Sequence, residues 1–409
     1  MSENALRNKH ILIVSQYYNP EPFRINDISA EWVKRGHKVT VLTGIPNYPE
    51  GVFYKGYGLF KRRRETVNGV DIIRIPLIPR GHSSVGLIIN YFSFVVSGMI
   101  WKTFTKLKPD GVFIFEVSPM TQAIPAVKMA KKRHIPCTIY VQDIWPENLE
   151  VVGGITNKFA LKRIDKMVNK IYRGCTNILV TSPSFKKHLE ARTSVHDASG
   201  NSKVIYWPQY AEEFYKPVKE CEIPDDFPQD DHFKLIFTGN IGFAQGLDIL
   251  PKVSKELKKL NRECDFVIVG DGRYMDKFKA EIKNAGLKDY FFFTGRKPAT
   301  EIPKYLGAAD AAFISFTDNE LFNKTIPAKL QSYMACGMPI LAAAGGETKR
   351  IVEEANAGFC SPAGDVKALS LNLVKMMDTD LSTMGKGACS YATEYFNKSK
   401  LMDEIEEII

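Results

Sequence analysis

The chain alternates short apolar, β-branched runs with amphipathic stretches, starting with "HILIVSQYY" near Ile11 and the helix-patterned "DISAEWVKRG". The same pattern continues through "HKVTVLTG", "GVDIIRIPLI", "GVFIFEV", "IPCTIYVQD" and "NILVTS". Apolar runs separated by helical patterns are the mark of βαβ units and a parallel sheet. A polar, Pro-rich stretch from Trp207 to His232 interrupts the pattern, which restarts as "FKLIFTGNIG", "CDFVIVGDG", "DYFFFTGR", "DAAFISF" and "MPILAAA". The expectation is therefore two Rossmann-like, doubly wound α/β domains, at residues 1–210 and 211–390, with an amphipathic closing helix over 391–409. A length of 409 residues agrees, being more than one hydrophobic core usually supports.

Residues 83–101, "SSVGLIINYFSFVVSGMIW", carry no charge, and Lys102, Lys106 and Lys108 follow directly. Three readings are open: a transmembrane helix, a core helix between strands, or an interfacial helix with one face in a lipid leaflet. Asn90, Ser93 and Ser97 interrupt the run, and strand patterns flank it on both sides, which argues against a span. The basic run Lys61–Arg64 and Arg80 would help an interfacial segment hold anionic lipid.

Charge sharpens this picture. Residues 1–210 hold 30 Lys+Arg against 15 Asp+Glu, and residues 211–409 hold 25 against 31, so +15 precedes −6. Such a split suits a first half that meets an anionic surface better than a whole-chain nucleic-acid patch. Seven cysteines without a C-x-x-C spacing fit a reduced, cytoplasmic protein, and the first 20 residues lack a signal-peptide pattern.

The candidate chemistry lies at turns that close strands. In "LIFTGNIGFAQGLDIL" a strand runs into Gly239, Asn240 and Gly242, with Gln245 and Gly246 just before a helix pattern. Glycines there let backbone N–H groups approach a phosphate, although they also serve turn geometry alone. The next strands end in Asp271-Gly272-Arg273 and in Gly295-Arg296-Lys297, so in a parallel sheet all three turns share one edge. Arg296 and Lys297 are candidate nucleotide contacts. Thr325, Ile326 and Pro327 open a helix whose N–H groups suit a diphosphate, and Lys329 adds a positive charge. Tyr333 and Met334 are expected in the core. Gly345-Gly346 would bring backbone near a sugar, with Glu347 placed to accept hydrogen bonds from its hydroxyls.

Several segments, in order, resemble those of a retaining glycosyltransferase of family 4: "GHKVTVLTGIPNYPEG", "VQDIWPE", "FTGNIGFAQGL", "VGDGR" and "IPAKLQSYMACGMPI". The resemblance implies a GT-B fold, in which two Rossmann-like domains face a cleft. More closely, the chain resembles bacterial L-fucosamine-transferase-like enzymes of O-antigen, capsule or other surface polysaccharide. What that implies is transfer of a sugar, an N-acetylated amino sugar by this closer likeness, from a nucleotide donor such as a UDP-sugar. The acceptor would be a polyprenyl-diphosphate-linked glycan, on the cytoplasmic face of the membrane, without metal or cofactor. Many family members carry a Glu pair where this chain has Lys324 and Ser332, the latter at the ribose-binding position. The usual Arg and Lys of the glycine turn are replaced by Asn240 and Gln245, so Lys329, Arg296 and helix N–H groups are left to supply positive potential. Glu320 or Glu347 would stand in for the missing carboxylate.

Acceptor binding then falls to the first half, at Arg24, Asn26 and Asp27 after the first strand and Asn47 and Tyr48 after the second. Caps and loop turns account for Asn26 and Asp27 equally well. Glu116 ends "VFIFE", and Asp143, Trp145 and Glu147 end "IYVQDIWPE". A carboxylate of Glu116 or Asp143 would hold the acceptor hydroxyl or its proton, completing a catalytic set with Lys329. A nucleotide-sugar 2-epimerase of the same fold and a non-catalytic nucleotide- or lipid-binding scaffold are the alternatives. A dinucleotide dehydrogenase fits poorly, since "VSQYYNPEPF" contains no glycine. No zinc-ligand spacing or G-x-S-x-G elbow occurs.

Overall fold

The computed structural model describes residues 8–81, 83–151, 153–218 and 223–409; Cys221 lies outside them. The chain forms two units, one of residues 1–207 with 403–409 and one of residues 208–402. The second therefore ends inside the segment 391–409, which comprises the end of one helix, Ser382–Tyr395, and all of another, Lys398–Glu406. Side chains explain the return of the last residues. Asp403 and Glu406 place carboxylates against Arg35, at 2.5 and 3.4 Å, and Asn177 donates to the Ile408 carbonyl.

The first unit holds eight strands: β1 (His10–Val14), β2 (Lys38–Gly44), β3 (Arg64–Val67), β4 (Val70–Ile75), β5 (Gly111–Glu116), β6 (Cys137–Val141), β7 (Asn177–Val180) and β8 (Val204–Tyr206). Their order is β3-β4-β2-β1-β5-β6-β7-β8. All neighbours run parallel except β3 and β4, a hairpin whose Asn68 and Gly69 both take positive φ. Ile13 pairs with Val41 on one side and Phe113 on the other, all fully buried, because helices cover both faces.

The second unit holds β9 (Phe233–Asn240), β10 (Cys264–Asp271), β11 (Phe291–Gly295), β12 (Ala311–Ser315), β13 (Ile340–Ala343) and β14 (Gly358–Ser361), in the order β11-β10-β9-β12-β13-β14, all parallel. Leu235, Phe237, Phe266 and Ile268 pack on one face of the sheet, while Ile236, Val267, Ile314, Tyr333 and Met334 pack on the other. In each sheet the chain reverses its direction of winding once, between β1 and β5 and between β9 and β12. Doubly wound sheets bind ligands outside the carboxyl ends of the strands at such points.

Candidate functional site

At the β9/β12 switch point, the end of β9 is fixed from below. Tyr333, buried on the Ala328–Ala335 helix, accepts from the Thr238 N–H at 2.8 Å. From the same helix Lys329 reaches over the turn: its Nζ stands 3.6 Å from the Phe237 ring centroid, and a Cβ added to Gly239 would lie 3.9 Å from it. Among the described residues it makes no ion pair, and burial pushes its ammonium down to about 7. The helix opens at Pro327 with no side-chain cap, so its first N–H groups point out of the same turn. Together they make an anion-binding arrangement: oriented N–H dipoles and one cation poorly solvated until a partner arrives.

The glycines here mostly serve the protein's own backbone. Gly270 has φ +141°, and a Cβ on it would come 1.9 Å from the Gly239 oxygen, so β9 and β10 close together only with glycine there. Gly346, at φ +56°, would bring a Cβ 1.8 Å from the Asn323 oxygen, so the Gly345-Gly346 pair admits the backbone of Asn323.

Several expected donor contacts are occupied within the unit. Gln245 accepts from the Gly242 N–H, Asp271 accepts from the Gly272 N–H, and Ser332 turns back on the Ala328 carbonyl. Glu347 is buried, and its carboxylate takes both Nε and Nη2 of Arg350, at 2.9 and 2.7 Å. Glu320 pairs with Lys324 at 2.6 Å. Lys297 is tied to Asp226 at 2.6 Å, with the Tyr305 hydroxyl on the same carboxylate. Asn240, Arg273 and Arg296 are exposed, whereas Ile326 and Pro327 are buried and Thr325 donates to the Leu321 carbonyl.

In the first unit, the loops after β1, β2, β5 and β6 lie side by side because those strands are neighbours. Glu21 organises two of them by accepting from the N–H groups of Tyr18, Asn47 and Tyr48 at 2.7–3.1 Å; burial pushes its carboxyl up to about 7. Asn26 and Asn47 are spent on loop geometry: Asn26 bridges the Asn19 N–H and the Glu21 carbonyl, and Asn47 takes the Arg80 N–H. Arg24 and Asp27 sit at the start of the Ile25–Lys34 helix. Tyr48 packs against Tyr17 and Phe23.

Glu116, fully buried at the end of β5, is held well above the usual carboxylate range by burial and by Asp143. Asp143 accepts from the N–H and hydroxyl of Ser118, which also takes the Trp145 indole N–H. Burial alone would raise Glu147, but His188 at 2.8 Å and Arg192 at 3.1 Å hold it below its ordinary value.

The uncharged stretch forms one helix, Ser84–Phe104, long and apolar enough to cross a membrane. It packs on the sheet's helical layer through Asn90, Phe94 and Gly98, so it is not a core helix. Asn90 joins the Gln16 amide and the Ile78 carbonyl, and Ser93 takes the Ile78 N–H. Val85, Ile88, Ile89, Phe92, Val96, Ile100 and Phe104 are exposed, which reverses the usual polarity of a surface helix. Phe60, 96% exposed beside Lys61–Arg64, adds a second apolar point.

Residues 23–198 match the model of the glycosyl transferase 4-like domain, and residues 219–386 that of glycosyl transferases group 1. The first match lies within the first unit and the second within the second unit. The first match contains every acceptor-side candidate from Arg24 to Glu147, and the second every donor-side candidate from Gly239 to Glu347. Among similar proteins are the probable glycosyltransferase WbjE of Pseudomonas aeruginosa and the putative colanic acid biosynthesis glycosyl transferase WcaI of Escherichia coli. The WbjE match is 26% identical and spans 60% of this chain and 61% of that protein. The WcaI match is 24% identical over 80% and 81%. Similar solved structures include sucrose-phosphate synthase of Thermosynechococcus elongatus (TM-score 0.75, 14% identity, 98% of both chains). Anabaena HepE in complex with UDP and glucose is another (TM-score 0.68, 16% identity, 98% and 99%). The chain thus has the GT-B fold.

Tyr333 and Met334 are buried as expected, but the sequence did not single out Asn323, Glu21 or Tyr17, which also shape these turns. Only the aromatic spacing around Tyr17 and Tyr48 offered a signal.

Proposed function

We propose that this chain is a retaining glycosyltransferase that moves a sugar from a nucleoside diphosphate donor, a UDP-sugar, to a lipid-linked glycan during surface-polysaccharide synthesis. The observation that carries the reading is Lys329, an ammonium without a carboxylate partner among the described residues, over the Gly239 turn at an uncapped helix start. The names of WbjE and WcaI support the class of reaction and the polysaccharide setting, and HepE's bound UDP supports the nucleotide.

In the proposed reaction the bond between the sugar's anomeric carbon and the diphosphate breaks as the acceptor hydroxyl bonds the same face. The acceptor's proton passes to the departing phosphate oxygen. Negative charge grows on that phosphate, where Lys329 and the helix N–H groups oppose it without a metal ion; Arg296 is the further cation of this reading. An N-acetylated amino sugar is the donor we favour. The exposed face of the Ser84–Phe104 helix, with Phe60 and the basic Lys61–Arg64, would rest in the cytoplasmic leaflet of an anionic membrane and bring the enzyme to its acceptor.

Thermal unfolding in the presence of UDP-, GDP- and dTDP-sugars, then transfer to a lipid-linked acceptor, tests the reading. One nucleotide sugar should raise the melting temperature and donate its sugar. Epimerised donor in the absence of acceptor would instead reveal an epimerase, and stabilisation by NAD alone would overturn the proposal.

A further inference from the structure

We infer that Arg80, resting on the Tyr48 ring against which the buried Tyr17 also packs, receives a phosphate group of an amphiphilic acceptor. The inference rests on the proposed function, since it names the part of a lipid-linked acceptor that the first unit holds. The Arg80 guanidinium lies 5.1 Å from the Tyr48 ring centroid, is half-buried and makes no ion pair among the described residues. Its backbone is pinned by the Asn47 side chain. A guanidinium packed on an aromatic face keeps its edge of N–H donors free for a planar or tetrahedral oxyanion.

A second, independent observation points the same way. Tyr17 is buried with its ring centroid 5.4 Å from that of Tyr48, yet its hydroxyl has no hydrogen-bond partner among the described residues. A buried hydroxyl costs free energy until an acceptor reaches it. Of the carboxylates of this region, Glu21 is taken by three backbone N–H groups, Asp143 by Ser118, and Glu116 is held well above the usual carboxylate range by burial. Position selects an amphiphile over a free ion. Arg80 precedes Ser83, the cap of the apolar helix, and Tyr91 lies on that helix, so a phosphate here would have an exposed apolar surface beside it for its lipid chain.

The test uses the full chain and three probes: farnesyl diphosphate, farnesol and inorganic pyrophosphate, with binding followed by calorimetry. Arg80→Gln should weaken farnesyl diphosphate at least ~10-fold, and Arg80→Lys less, because a point charge replaces the fork. Tyr17→Phe, which removes no hydrogen bond seen in the fold, should weaken it as well. Farnesol binding should not change, and Arg163→Gln, remote on another helix, should bind like the wild type. An unchanged tryptophan-fluorescence melting transition of Arg80→Gln shows that it folds, since all four tryptophans lie in the same unit as Arg80.

Equal farnesyl diphosphate affinity in Arg80→Gln overturns the inference. So does pyrophosphate that binds as tightly as farnesyl diphosphate, which would make the seat one for a free anion. Loss of binding to phosphatidylglycerol vesicles, with farnesyl diphosphate unaffected, would assign Arg80 to bulk lipid and overturn it too. Should no sugar transfer be found while the Arg80 effect persists, the proposed function fails and the phosphate seat stands.

Discussion

Lys329 shows how a residue proposed to bind the donor costs the free protein stability. Its ammonium titrates at about 7 when folded and near 10.4 in an unfolded chain, so the folded state binds fewer protons across that window. Stability should therefore rise with pH from about 7 upward, and Lys329→Met should flatten that rise in thermal unfolding followed from pH 6 to 10. Donor binding carries the opposite sign, because a diphosphate needs the charged form: affinity should fall as pH climbs through 7, and Lys329→Arg should remove the slope in calorimetry. Lys329→Ala should lower kcat by ~10²–10³ in a transfer assay. Tyr333 carries a purely structural test. Tyr333→Phe leaves the buried Thr238 N–H unpaired and should cost about 1–3 kcal/mol in urea unfolding. The place of Lys329, a charge just after a helix start, was legible in the sequence. The internal commitments of Gln245 and Asn26 were not, because their partners Gly242 and Asn19 become neighbours only when the loops close.

Among the elements, the Ser84–Phe104 helix carries the least expected geometry. Its composition left three readings open, because a helix that is apolar all round gives periodicity little to act on. The polar positions 90 and 93 form the stripe that tertiary packing uses, and they point inward. Phe92→Glu and Val96→Glu lie on the exposed face and should change unfolding free energy by no more than ~0.5 kcal/mol, yet sharply reduce sedimentation with phosphatidylglycerol vesicles. Asn90→Leu should do the reverse. It strands the Gln16 amide and the Ile78 carbonyl, costs about 2–4 kcal/mol in denaturant unfolding, and spares vesicle association. Strands were easier to read, since β-branched runs such as "CDFVIVGD" admit no other period; the β3–β4 hairpin is announced by its Asn-Gly pair.

For the whole molecule, the last seven residues matter beyond their number, because they complete the first unit rather than extend the second. Deleting 403–409 removes the carboxylates of Asp403 and Glu406 from the partly buried guanidinium of Arg35, which keeps Glu31. The expected cost is about 3–5 kcal/mol, confined to one unit. Tryptophan fluorescence can isolate it, since all four tryptophans, at 32, 101, 145 and 207, lie in that unit. The tryptophan transition should move to lower temperature while stabilisation by a nucleotide sugar in the second unit persists.

Two parallel sheets, their helical cover and the strand-end turns followed from local sequence, because period, β-branching and glycine placement act over a few neighbouring residues. Which polar side chains remain available for a ligand did not. That depends on residues distant in sequence meeting in space: Asp226 holds Lys297, and no carboxylate among the described residues pairs with Lys329 or Arg80. The fold's hydrogen-bond and charge balance is settled only when the chain closes, and the groups it leaves over are the ones a substrate can use.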